Sequence, residues 1–201
     1  MGTEVFDFDK TLTYRDTTLS LFCFRQSPLR RLGICLCYYA LAVLVKLNLL
    51  QVTALKECLL NVFYQPYDEP RWQQHCAAFA PSIHTNELYA QTDWLTGQKW
   101  VVSASMEAVL RPLFPSHVQI IGSLVGKTGG RWQLQQHPYG AQKAKLLQAA
   151  GLMEAQRVYT DSESDRYLMA MAKEIVWVQG DQQTQYTRAT WEAARGKLPQ
   201  I

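Results

Sequence analysis

Two aspartates and a threonine, Asp7, Asp9 and Thr11, take alternate positions in the run Thr3-Glu4-Val5-Phe6-Asp7-Phe8-Asp9-Lys10-Thr11-Leu12-Thr13, where an apolar strand runs out. Residues two apart on a strand point to the same face, so the two carboxylates repel each other unless a cation sits between them. A hard divalent ion suits such a pair. Mg²⁺ binds carboxylate oxygen and keeps several waters, which would leave one carboxylate free to attack a phosphorus atom while the metal neutralises the phosphoryl oxygens.

Three later clusters carry complementary groups. Val101-Val102-Ser103-Ala104-Ser105 ends an apolar run in a hydroxyl, Tyr139-Gly140-Ala141-Gln142-Lys143-Ala144-Lys145 sets a lysine at a helix start, and Tyr159-Thr160-Asp161-Ser162-Glu163-Ser164-Asp165 places two aspartates four apart. Taken in order, the four resemble the motifs of the haloacid dehalogenase-like (HAD) phosphatases. That resemblance implies Asp7 as nucleophile, forming an aspartyl-phosphate, and Asp9 as acid and base. It also implies that Ser103, the amide of Ala104, and Lys143 hold the phosphoryl oxygens. Mg²⁺ would be held by Asp7, the main-chain carbonyl of Asp9, and Asp161. Asp165 would orient Lys143 or a metal-bound water, and Thr11 would steady the loop.

Each residue also has a structural alternative. Asp7 and Asp9 could belong to a solvated turn or a helix cap, and Ser103 could cap a helix beginning near Met106. Lys145 competes with Lys143. Asp161 and Asp165 could cap a helix from Ser162 to Lys173, and Thr160-Asp161 departs from the Gly-Asp common in the family.

A chain of 201 residues can bury a full core and fits one α/β domain with a modest insert. The balance of 20 Lys+Arg against 17 Asp+Glu, with the cations scattered, makes no case for nucleic acid. Five cysteines without C-x-x-C spacing fit free thiols in a reducing, cytoplasmic setting. Cys35-x-Cys37 within an apolar run reads as helix filling, and four dispersed histidines form no transition-metal cluster. An N-terminus that carries the strand and the candidate nucleophile is read as lacking a secretory signal.

Short β-branched runs at Trp100–Ser103, Val118–Ser123, Val158–Thr160 and Ile175–Val178, with helical stretches between them, predict a parallel sheet. The motifs fall at the ends of its strands, where open α/β sheets bind ligands. Gly126-Lys127-Thr128-Gly129-Gly130 reads as a hairpin turn, since no lysine-serine/threonine ending makes it a phosphate loop.

The fold class expected is α/β, with a Rossmann-like core formed by residues 1–13 and 99–201. Residues 14–98 are expected to be a helical insert, similar to the cap of phosphoserine-phosphatase-like HAD enzymes, which excludes water and selects the substrate. Asp16 lies where those enzymes carry an acid that meets a substrate amine. Their cap arginine has no match in Leu55–Phe63, which disfavours a small amino acid phosphate.

Leu29-Arg30-Arg31 opens an apolar stretch from Leu32 to Val45, followed by Lys46-Leu47-Asn48-Leu49-Leu50. It is shorter than the roughly 20 residues of a membrane span. The stretch can be a buried helix, or residues 29–50 can lie at a membrane surface and present the site to a lipid phosphate. Bacterial phosphatidylglycerophosphate phosphatases of the superfamily carry a comparable apolar insert.

The second aspartate, Asp9, argues against a dehalogenase. The chain is too short for an ion-pumping ATPase, and the paired aspartates argue against a scaffold that only binds phosphate. The expected activity is Mg²⁺-dependent hydrolysis of a small phosphate ester; a phosphotransferase would use the same residues.

Overall fold

A computed structural model describes residues 2–199. The chain opens with β1 (Glu4–Phe6) and continues through five helices: α1 (Thr18–Cys23), α2 (Pro28–Lys46), α3 (Val52–Phe63), α4 (Glu69–Phe79) and α5 (Glu87–Gln91). After these come β2 (Lys99–Met106), α6 (Glu107–Leu110), β3 (Gln119–Thr128), β4 (Arg131–Gln136), α7 (Ala141–Ala149) and β5 (Ala155–Thr160). The last elements are α8 (Arg166–Ala170), β6 (Ala172–Gln179), β7 (Gln182–Thr187) and α9 (Arg188–Arg195).

One seven-stranded sheet has the order β4-β3-β2-β1-β5-β6-β7. Its five inner strands are parallel, with Val5 between Trp100 and Val158, and the edge strands β4 and β7 run antiparallel. This is the expected α/β, Rossmann-like arrangement.

Alternation along the strands explains why β1 sits at the centre although it has only three residues. Val5, Trp100, Val102, Val158, Ile175 and Trp177 pack on one face against α7, α8 and α9. Their neighbours Phe6, Val101, Tyr159, Val176 and Val178 pack on the other face with Leu88, Leu110 and Phe114. Both faces are therefore covered, as an inner parallel sheet requires. Helices α1 to α4 build a separate apolar cluster around Phe22, Ile34, Leu59, Tyr64 and Trp72, which meets the sheet side through Met106, Val109 and Trp132.

Three local expectations change. β2 runs on to Met106, with a register shift between Val102 and Met106, so Ser103 to Ser105 lie in an irregular strand end and only the short α6 follows. Bulges of this kind re-aim side chains beside sites. The helix from Ser162 to Lys173 that the alternative reading of Asp161 and Asp165 required is reduced to a 3₁₀ turn, Glu163–Asp165, and α8, because β6 already begins at Ala172. The hairpin turn is narrower than expected. Gly126, Lys127 and Thr128 belong to β3, and the reversal is made by Gly129 and Gly130 at φ 59° and 77°.

The exposed edge of β4 is met by α3. Asn61 exchanges two hydrogen bonds with the backbone of Trp132, both 2.9 Å, and Glu57 accepts from the amide of Leu134 at 2.8 Å. Side chains thus occupy edge groups that would otherwise invite another strand.

Candidate active site

β1 stops at Phe6, so the same-face geometry expected for Asp7 and Asp9 gives way to a tight turn. The amides of Thr11 and Leu12 both donate to the carbonyl of Phe8, and Lys10 takes a left-handed φ of 61°. Asp7 and Asp9 therefore meet different partners.

Asp7 Oδ1 accepts from Lys143 Nζ at 2.7 Å, and the same ammonium donates to Asp165 Oδ2 at 2.8 Å. Thr160 Oγ1 also donates to Asp165 Oδ2, at 2.8 Å. All of these side chains are buried, whereas Lys145 is exposed. Burial pushes the Asp7 carboxyl up to about 8 despite the opposing pull of Lys143, and the charges of Asp165 and Asp161 add to the rise. Lys143 is held above its ordinary value; burial alone would lower it, but the two carboxylates outweigh that. Asp165 Oδ1 is buried without a partner among the described residues.

Asp9 turns toward α1. Its Oδ1 accepts from the amide of Thr17 at 2.8 Å and its Oδ2 from Ser105 Oγ at 2.5 Å. Burial raises its carboxyl, the Asp16 charge raises it further, and the two donors oppose that. Ser103 is buried and its Oγ accepts from the Ser105 amide at 3.0 Å, which fixes the strand end. Thr11 Oγ1 donates to Asp161 Oδ1 at 3.3 Å, and burial raises the Asp161 carboxyl. Asp16 is exposed. It accepts from the Thr18 amide at 2.7 Å and lines a cavity of about 530 Å³ with Arg15, Thr17 and His84.

Four residues escaped the sequence reading. Ser105 and Thr17 orient Asp9. Asn86, also buried, donates to the Thr11 carbonyl at 2.8 Å while its own amide bonds the Leu12 carbonyl, clamping the turn from α5. Lys56 is the cation of the Leu55–Phe63 stretch, which has no arginine. It is 5% exposed, and its Nζ donates to the Ala104 carbonyl at 2.5 Å. Burial lowers its ammonium to about 8 against the pull of Asp9 and Asp16. The Ala104 carbonyl also accepts from Ser123 Oγ, which pairs with His137 Nδ1 at 2.9 Å. His137 is pushed down to about 3, by burial first and then by the charges of Lys56 and Lys143.

Asp7, Asp161 and Asp165 thus lie near enough to act on one another beside Lys143, while Asp9 has Asp16 and Lys56 as its charged neighbours. Among the described residues no three His, Cys, Asp or Glu side chains gather tightly enough to cage an ion. Asp7 and Asp161 offer two carboxylates, and the orphaned Asp165 Oδ1 can take a water. Such a set fits Mg²⁺, which keeps most of its own water and needs few protein ligands.

Residues 5–170 match the family model for haloacid dehalogenase-like hydrolases. The chain belongs to that family. No curated protein matches the sequence. Among solved structures, a Bordetella pertussis protein of unknown function is 16% identical with a TM-score of 0.64, over 83% of this chain and 85% of the other. A phosphoserine phosphatase in apo form is 14% identical with a TM-score of 0.53, over 87% and 84%. A phospho-aspartyl intermediate analogue of phosphoserine phosphatase is 12% identical with a TM-score of 0.52, over 85% and 83%. At these identities the likeness is one of fold, and it places this HAD hydrolase beside the phosphoserine phosphatases in architecture.

Proposed function

We propose that this HAD hydrolase is a Mg²⁺-dependent phosphomonoesterase that works through a phosphorylated Asp7 and acts on a small phosphate ester in a reducing, cytoplasmic setting. One observation carries the reading. Asp7 is held by an ammonium, whereas Asp9, two residues on, is held by the neutral donors Ser105 and Thr17. The first arrangement suits a nucleophile and the second a group that gains and loses a proton.

In this reading an Asp7 oxygen forms a bond to phosphorus as the bond to the leaving oxygen breaks, and Asp9 gives that oxygen its proton. Asp9, now ionised, takes a proton from water as the water attacks phosphorus. Inorganic phosphate leaves and Asp7 is restored. Lys143, the Ser103 hydroxyl and the Ala104 amide face the charge that builds on the phosphoryl oxygens. Asp7, Asp161 and the Asp9 carbonyl would hold Mg²⁺, whose charge offsets that of the phosphoryl group. Helices of the 14–98 segment serve as the cap, with Lys56 reaching from α3 to the Ala104 carbonyl.

The test is release of phosphate from p-nitrophenyl phosphate with Mg²⁺ and with EDTA. Turnover that needs Mg²⁺ and is lost in Asp7→Asn supports the reading; an Asp7→Asn enzyme at full rate overturns it. A rise in product release with added alcohol, at constant phosphate release, would instead mark a phosphotransferase. A lipid phosphate is the second substrate reading, favoured by the row of large apolar side chains that α2 leaves uncovered.

A further inference from the structure

α2 is apolar nearly all round, yet only half of it is covered. Ile34, Tyr38, Leu41 and Val45 pack onto the cluster of α1, α3 and α4. Leu29, Leu32, Leu36, Tyr39, Val43 and Leu47 form a stripe roughly 180° away around the helix, and all six are exposed, Leu36 at 65% and Tyr39 at 61%. A helix that is apolar on every side belongs in a core or against lipid, and contiguous exposed apolar patches mark interaction surfaces.

Charge points to the partner. From Thr17 to Lys56 the chain has no aspartate or glutamate, while Arg25, Arg30, Arg31, Lys46 and Lys56 are all cationic. Arg25, Arg31 and Lys46 are exposed, so cations stand at both ends of the stripe. Two copies packed through this face would set arginine against arginine if parallel and against Lys46 if antiparallel, with no acid on α2 to relieve either. An anionic bilayer meets both the apolar stripe and the cations.

Spanning is a poorer fit. Nineteen residues reach about the thickness of the hydrocarbon layer, but crossing it would strip Ile34 and its neighbours from Leu55, Leu59 and Tyr64, the packing that ties α2 to the rest of the chain. We infer that α2 docks the protein on an anionic lipid surface, lying along it with the Leu29–Leu47 stripe in the interface. Where the stripe ends, a groove of about 870 Å³ opens between Val45, Leu49 and Leu50 on one side and Gln142 and Leu146 on the other, next in sequence to Lys143.

Flotation of the whole chain with vesicles decides it. Partition should be roughly tenfold higher or more on phosphatidylcholine/phosphatidylglycerol (7:3) than on phosphatidylcholine alone, and should weaken in high salt. Leu36→Glu and Val43→Glu should each abolish it while leaving turnover of soluble p-nitrophenyl phosphate unchanged, which separates this inference from the catalytic one. Equal partition on both vesicles, or none, overturns the inference. So does wild-type self-association that Leu36→Glu dissolves, which would mark a second copy as the partner, or binding that survives alkaline carbonate, which would mark a span.

Discussion

Lys56 and Ala104 lie 48 positions apart in sequence, yet the lysine Nζ donates to the alanine carbonyl at 2.5 Å, joining the helical segment to the strand end that carries Ser103 and Ser105. Among the described residues Lys56 has no ion-pair partner of its own, and burial leaves its ammonium titrating at about 8. Lys56→Met should lower kcat about 10- to 100-fold as the Ala104 loop loses its tether and the site loses a cation. Lys56→Arg should keep most of the rate and remove the decline in activity that Lys56 deprotonation causes above about pH 8. Pseudo-first-order rates from pH 6 to 10 for the three proteins check this; an unshifted alkaline limb in Lys56→Arg would count against it.

Removing Lys143 isolates two buried carboxylates at once. Asp7 and Asp165 both depend on its ammonium, at 2.7 and 2.8 Å. Lys143→Met should cost about 3–5 kcal/mol in urea denaturation without added metal and abolish turnover. Asp7→Asn behaves differently, because the amide oxygen can still accept from Lys143 and the cost of burying an ionisable carboxyl is gone. Its stability should stay within about 1 kcal/mol of wild type or rise, while its rate falls by three orders of magnitude or more.

Metal binding should follow the titration of Asp7. Its folded-state carboxyl is raised to about 8 from an unfolded value of 3.8, so the folded protein holds a proton that the unfolded chain releases. The sign is therefore opposite to that of a salt-bridged surface acid. Without a divalent ion, this group favours folding least above about pH 8 and progressively more as pH falls toward 4. Mg²⁺ competes with that proton, so the gap between melting temperatures in Mg²⁺ and in EDTA should widen from pH 6 to pH 8.5. Differential scanning fluorimetry at several pH values reads it directly. A gap that narrows over this range would contradict the placement of the ion beside Asp7.

The strand-end aspartates were legible because a charged pair at the end of an apolar run contradicts simple burial, and the β-branched runs at Trp100–Ser103 and Val158–Thr160, with helical stretches between them, pointed to a parallel sheet. Other parts left no such mark. A buried lysine such as Lys56 has the same letters around it as a solvated one, since Leu55 and Leu59 declare a helix face but not what Lys56 reaches. Ser105, Thr17 and Asn86 are single polar residues whose importance arises only when distant segments meet. The irregular end of β2 follows from packing around Ser103 to Ser105, for which Ser-Ala-Ser carries no propensity. α2 was readable as apolar, but a helix without a polar face gives no periodicity from which to tell its covered side from its free one.

Asn86 offers a test of the turn that holds the aspartates. Its side chain donates to the Thr11 carbonyl at 2.8 Å and accepts from the Tyr89 amide at 3.2 Å, so it clamps the turn and caps α5 together. Asn86→Ala should cost about 2–3 kcal/mol, the sum of a lost cap and an unsatisfied buried carbonyl. Because Thr11 also carries the hydroxyl that meets Asp161, loosening the turn should weaken the metal site as well. The apparent Mg²⁺ requirement for turnover should rise several-fold in Asn86→Ala, even at temperatures where the variant is fully folded. Loss of stability with an unchanged Mg²⁺ requirement would show that the clamp serves α5 alone.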